Sequence, residues 1–80
     1  MAVRLVFLGR LADLAGESQR NVAAPLDWPT LVSGLEPVLA DAISGERVRV
    51  AVNGAVLADK ANLNAGEGDE IALLPPVSGG

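Results

Sequence analysis

The 80-residue chain contains no cysteine and no histidine. The first absence excludes a disulfide framework, a thiolate metal site and a thiol nucleophile. The second removes the commonest general base and the commonest metal ligand. Aromatic residues are almost missing as well, Phe7 and Trp28 being the whole supply. Cations are scarce: Lys60 and the arginines make 6 against 10 acidic residues, a formal charge of −4. Affinity for nucleic acid rests largely on neutralising phosphates with Lys and Arg, so nucleic acid is not an expected partner. The apolar run at the start ends by Leu8, too short for a membrane span, and it lacks a signal peptide's basic start and cleavage site. No membrane partner is therefore expected, and the natural reading is cytoplasmic.

What is present is globular. Half of the residues are hydrophobic and a fifth are charged, well away from disordered compositions. The length fits one small domain. A chain of this size buries only about 60–65% of its unfolded surface. A partner that covers exposed apolar surface therefore matters more here than for a larger domain.

Ala2 to Leu8 reads as a strand, with Val3, Leu5 and Phe7 on one face and Arg4, Val6 and Leu8 on the other. Leu11 and Leu14 between Gly9 and Gly16 predict a helical turn. Glu17 to Ala24 predicts a second strand, antiparallel to the first and stopped by Pro25. Asp27-Trp28-Pro29-Thr30 is helix-start chemistry, with Asp or Thr as the cap. Leu31, Val32, Leu35, Val38, Leu39 and Ile43 continue at helical spacing, interrupted by Gly34 and Pro37. A short helix bent or restarted at Glu36-Pro37 and closed by Gly45 is expected. Val48, Val50 and Val52 alternate with Arg49 and Ala51, and Asn53-Gly54 predicts a type I′ turn into Ala55-Val56-Leu57. Asn62 to Asp69 reads as loop and Glu70 to Leu74 as the last strand, ended by Pro75-Pro76. These elements make an α+β domain of residues 1–74, one sheet with one main, Pro-interrupted helix on one face. The first and last strands are expected to meet mid-sheet.

Residues 75–80 read as an extended tail, Pro75-Pro76-Val77-Ser78-Gly79-Gly80. Glycine-rich frayed ends are common. Here, however, two prolines stiffen the exit and hold the residues beyond them extended. The last two residues have no side chains and could thread a narrow channel. With no Cys or His, the chain cannot activate the Gly80 carboxylate itself. Chemistry there needs a second protein, for instance one that makes an acyl-adenylate from ATP.

The ending Pro75-Pro76-Val77-Ser78-Gly79-Gly80 resembles the signature end of the MoaD/ThiS-type ubiquitin-like sulfur carriers, in the form carried by molybdopterin synthase small subunits. Val50-Ala51-Val52-Asn53 is similar to that family's middle strand, and Gly68-Asp69-Glu70-Ile71-Ala72 to its loop into the last strand. Gly34 and Pro37 depart from the longer unbroken helix of the family. The resemblance implies a ubiquitin-like β-grasp with a mixed sheet. It implies that an E1-like enzyme adenylates Gly80 with ATP, that a sulfur donor converts it to a thiocarboxylate, and that Pro75 to Gly79 insert into the large synthase subunit in a 2:2 heterotetramer. There, sulfur would be passed to cyclic pyranopterin monophosphate. On this reading the chain is no enzyme on its own and binds no metal or cofactor.

Val6, Leu8, Ala51, Ala72 and Leu74 fall on strand faces opposite the expected core, with Arg4 and Arg49 beside them. They read as a docking patch with a charged rim, or as apolar residues covered by the chain's own loops and simply exposed arginines. Asp69 and Glu70 are adjacent on a strand and point apart, so they do not make a carboxylate pair. Lys60 reads as a solvated loop residue. Delivery to another acceptor (thiamine thiazole, a tRNA base, a protein lysine) and an inert ubiquitin-like binding module are the competing functions.

Overall fold

The computed structural model describes residues 2–76. The first segment forms β1 (Ala2–Phe7), and its alternation decides its orientation: Val3, Leu5 and Phe7 are buried while Ala2 and Arg4 are exposed. Strand β2 (Gln19–Ala23) pairs antiparallel with β1. Between them lies α1 (Arg10–Ala15), closed by Gly16 in the left-handed conformation, whose N–H donates to Ala12 O.

The expected break in the main helix is a complete one. Helix α2 (Trp28–Gly34) starts at Asp27, whose carboxylate accepts from the Thr30 N–H at 2.9 Å. That bond holds the Asp27 pKa below its ordinary value. Asp27, rather than Thr30, is thus the cap. Leu35 is extended (φ −98, ψ 158) and α3 (Pro37–Ile43) begins on the proline. Glu36 faces back to Arg20, whose guanidinium donates to Glu36 at 2.8 Å and to Glu17 at 2.5 Å while lying 5.4 Å from the Phe7 ring centre. The Glu36 pKa is lowered accordingly.

The second half supplies β4 (Arg49–Val52), β5 (Ala55–Val56) and β7 (Glu70–Leu74). Asn53 (φ 50) and Gly54 (φ 88) both have positive φ, the backbone of the expected type I′ turn. The segment 62–69, expected to be loop, contains more order than its sequence suggests. A 3₁₀ turn (Lys60–Asn62) leads into the two-residue strand β6 (Asn64–Ala65), which pairs with β3 (Leu26–Asp27). Leu63 and Ala65 are buried in the core as a result. Lys60 is not a solvated lysine: its ammonium donates to the carbonyls of Ile43 (2.9 Å), the last residue of α3, and of Gly45 and Val48 (3.1 Å) just beyond it. All three N–H groups are thereby used.

The main sheet has the order β2-β1-β7-β4-β5, with β1 and β7 parallel and the other pairs antiparallel. The first and last strands meet, and β7 is central. Leu11, Leu31, Leu39 and Ile43 from the three helices pack on Val3, Leu5, Phe7, Val50, Ile71 and Leu73, so every helix covers the same face. This is the β-grasp architecture. Among the described residues, no helix is long and apolar enough to cross a membrane.

Candidate functional site

A sheet with all its helices on one side leaves the other side bare. On that outer face, Val6 lies in register with Ala72, Ala72 with Ala51, and Ala51 with Val56. One apolar row thus crosses β1, β7, β4 and β5. The next row includes Leu74, opposite Arg49, and Leu8, two residues beyond Val6 on the same face. Leu8 donates its N–H to Leu73 O at 3.3 Å, which keeps it on the sheet past the end of β1. None of Val6, Leu8, Ala51, Ala72 and Leu74 belongs to the core cluster.

Their exposure is uneven. Leu8 is 40% and Val56 55% exposed, while Val6, Ala72 and Leu74 are half-buried. Ala51, expected to be a contact residue, is only 5% exposed. Its methyl group is flanked by Ala72 and Val56 on the neighbouring strands, so it forms the floor of the face. Val56 joins the face although its own strand is too short to show alternation. The Asn53-Gly54 turn is the signal that reveals it, because a two-residue hairpin loop sets Ala51 opposite Val56.

At one end of the face Arg4 meets Glu70 at 3.5 Å. Asp69 turns the other way, accepting from the Asn53 side-chain amide at 2.9 Å and from the Gly66 N–H at 2.8 Å. Those bonds lower its pKa, the Asn53 bond contributing most. Asn53 also accepts from the Glu70 N–H at 2.9 Å. Its side chain therefore fastens the β4–β5 turn to the start of β7, a role beyond making the turn.

At the opposite end the chain leaves β7 through Pro75 and Pro76. Pro75 is half-buried and packs over Gly9, where a Cβ would come within 3.1 Å of Pro75 Cγ. Gly9 has φ 55 and ψ −133, and the Leu11 N–H donates to Leu8 O at 3.1 Å. This is the setting of a glycine at the first central position of a type II′ turn. The turn lets α1 begin close to the stem. Pro76 is exposed. The remaining expected site residues, Val77, Ser78, Gly79 and Gly80, lie outside the described residues.

The described residues contain no buried polar or charged residue and no group of three potential metal ligands. What the arrangement provides is an apolar platform and, contiguous with it, an anchored stem.

Known proteins bear on this geometry. Residues 5–80 match the ThiS family. The crystal structure of SAMP1 from Haloferax volcanii is 29% identical over the whole of both chains, with a TM-score of 0.78. A chain from the complex of subunits 1 and 2 of molybdopterin-converting factor from Helicobacter pylori 26695 is 28% identical, again over all of both chains, with a TM-score of 0.68. The solution structure of small archaeal modifier protein 1 from Methanosarcina acetivorans covers 99% of this chain and 96% of its own at a TM-score of 0.79; its 23% identity speaks for the fold alone. No curated protein matches the sequence. The chain belongs to the ThiS family, the MoaD/ThiS-type ubiquitin-like sulfur carriers.

Proposed function

We propose that this chain carries sulfur on Gly80 for molybdenum cofactor biosynthesis, as the non-catalytic small subunit of a molybdopterin synthase. One observation carries the reading: the bare apolar face of the sheet runs directly into the Leu74-Pro75-Pro76 stem, and that stem leads to Gly79-Gly80. A protein that docks on the face meets the stem, Leu74 to Pro76, alongside it. The likeness to one chain of the subunit 1 and 2 complex supports a large-subunit partner.

The chemistry needs two outside steps. The Gly80 carboxylate attacks the α-phosphorus of ATP at the activating enzyme, and pyrophosphate leaves. Sulfur at the sulfide level, formally HS⁻, then attacks the acyl carbon, AMP leaves, and a thiocarboxylate results. Sulfur is softer and more nucleophilic than the oxygen it replaces. Inside the large subunit the sulfur bonds to a carbon of cyclic pyranopterin monophosphate, water hydrolyses the resulting acyl–sulfur bond, and Gly80 returns to a carboxylate. The absent side chains at Gly79 and Gly80 keep the acyl carbon accessible and the tip slender.

The likeness to the Haloferax volcanii protein, a small archaeal modifier protein by name, favours a second reading, in which activated Gly80 modifies another protein by joining to a lysine. Reconstitution separates the two. The thiocarboxylated chain, mixed with a synthase large subunit and cyclic pyranopterin monophosphate, should yield dithiolene product and regenerate the carboxylate. Failure to transfer sulfur there, together with isopeptide conjugates in a lysine-containing extract, would favour the second reading over the first.

A further inference from the structure

The cations of the described chain fall into two groups. Arg4 pairs with Glu70, Arg20 is held by Glu17 and Glu36, and Lys60 is tied to three carbonyls. Arg10, Arg47 and Arg49 pair with no carboxylate among the described residues, and all three are exposed. They are not scattered. Arg10 and Arg47, with Leu11, Leu14, Val48 and Pro76, line a cleft of about 470 Å³ on the helix side of the stem. Arg49 stands opposite Leu74 on the sheet side. On a chain of net charge −4, the three guanidinium groups without a carboxylate partner among the described residues thus sit on segments next to the stem, Arg10 and Arg47 beside Pro76 and Arg49 in register with Leu74. Glu46 is the one carboxylate lining the cleft. The centre is apolar, and Leu14 is 40% exposed there.

We propose that Arg10, Arg47 and Arg49 form a basic collar around Leu74–Pro76 that is read by an acidic rim on the enzyme activating Gly80. The inference rests on the carrier reading of Gly80. A tip of two glycines has no side chains by which to be recognised, so selection has to occur at its base. Guanidinium groups suit that task, because they bind carboxylates in a fixed, forked geometry. The partner's surface carries carboxylates around an apolar centre that accepts Leu14. A polyanion such as nucleic acid is disfavoured by the acidic remainder of the chain. Charges at a rim act chiefly on the rate and orientation of encounter, and their effect is screened by salt.

The test is a titration of the full chain with its cognate adenylating enzyme at low and high salt. Wild-type affinity should fall as salt rises. Arg10→Glu/Arg47→Glu/Arg49→Glu should weaken low-salt binding by roughly tenfold or more and flatten the salt dependence. Lysine at the same positions keeps the charge but not the fork, so it should bind between wild type and the charge-reversed chain while keeping the wild-type salt slope. Unchanged affinity and salt slope in the charge-reversed chain would overturn the collar, as would a wild-type chain that does not bind the enzyme. A chain ending at Pro76 should keep its amide shifts at Leu11, Leu14 and Val48. Shifts there would mean that the tail itself fills the cleft, and would equally overturn the proposal. Collar-dependent binding without activation of Gly80 would leave the collar standing and sink the carrier reading.

Discussion

Gly9 is the residue at which fold and tail meet, and Gly9→Ala perturbs both. Two costs can be separated. The backbone at φ 55, ψ −133 is one that residues with a Cβ rarely adopt, and holding alanine there costs about 1–3 kcal/mol. The added Cβ would also lie 3.1 Å from Pro75 Cγ, which forces the stem outward by a few tenths of an ångström. With a total near 2 kcal/mol and a sensitivity of about 4–8 °C per kcal/mol for a domain of this size, the melting temperature should drop by roughly 8–16 °C. Circular dichroism melts, backed by urea unfolding, measure this. In the Pro75→Ala background the contact is gone but the backbone strain stays, so Gly9→Ala should cost less there yet remain destabilising. A Gly9→Ala chain melting within about 2 °C of wild type would refute the strain argument. Equal costs in both backgrounds would refute the contact with Pro75.

Leu74→Glu alters the outer face without touching the core, so the chain should melt cooperatively near the wild-type temperature while losing capture of the large subunit in gel filtration; undiminished capture would remove the docking face. Lys60→Met removes the ammonium shared by the carbonyls of Ile43, Gly45 and Val48, of which Gly45 O keeps the Val48 N–H, and should cost about 1–3 kcal/mol by urea unfolding, against no change if Lys60 were merely solvated. The Asp69 pKa is depressed in the folded chain, so its contribution to stability is present above the unfolded value of about 3.9 and is lost as pH falls through the folded value. Asp69→Asn should therefore be less stable than wild type at pH 7, with the gap narrowing below about pH 4; a gap independent of pH would contradict the assignment.

Strand faces were legible because alternation alone determines them. Val3, Leu5 and Phe7, Val48 and Val50, and Ile71 and Leu73 all enter the core as their spacing requires. Asn53-Gly54 and Pro37 were equally readable, since each acts on its own local backbone. What the sequence concealed depends on distant partners. The β3–β6 pair has two residues in each strand, too few for any period to show. Lys60 reaches carbonyls 12 to 17 residues earlier in the chain, and Arg20 bridges to Glu36 across a similar gap. Neither is marked by local pattern. Ala51 shows a third limit: alternation assigns its face, but only register reveals that its neighbours bury it. The tail differs again, because its composition points to chemistry that no packing argument can supply.

The central claim is that Gly80 holds sulfur as a thiocarboxylate, and intact-mass spectrometry tests it most directly. The chain is incubated with ATP, its adenylating enzyme and a sulfur donor, and its mass is compared with that of an untreated sample and of a chain lacking Gly80. The account predicts a gain equal to one oxygen replaced by one sulfur, confined to the C-terminal fragment, dependent on ATP, and absent from the truncated chain. An unchanged mass with an enzyme that activates other carriers, or sulfur located anywhere but Gly80, would contradict it.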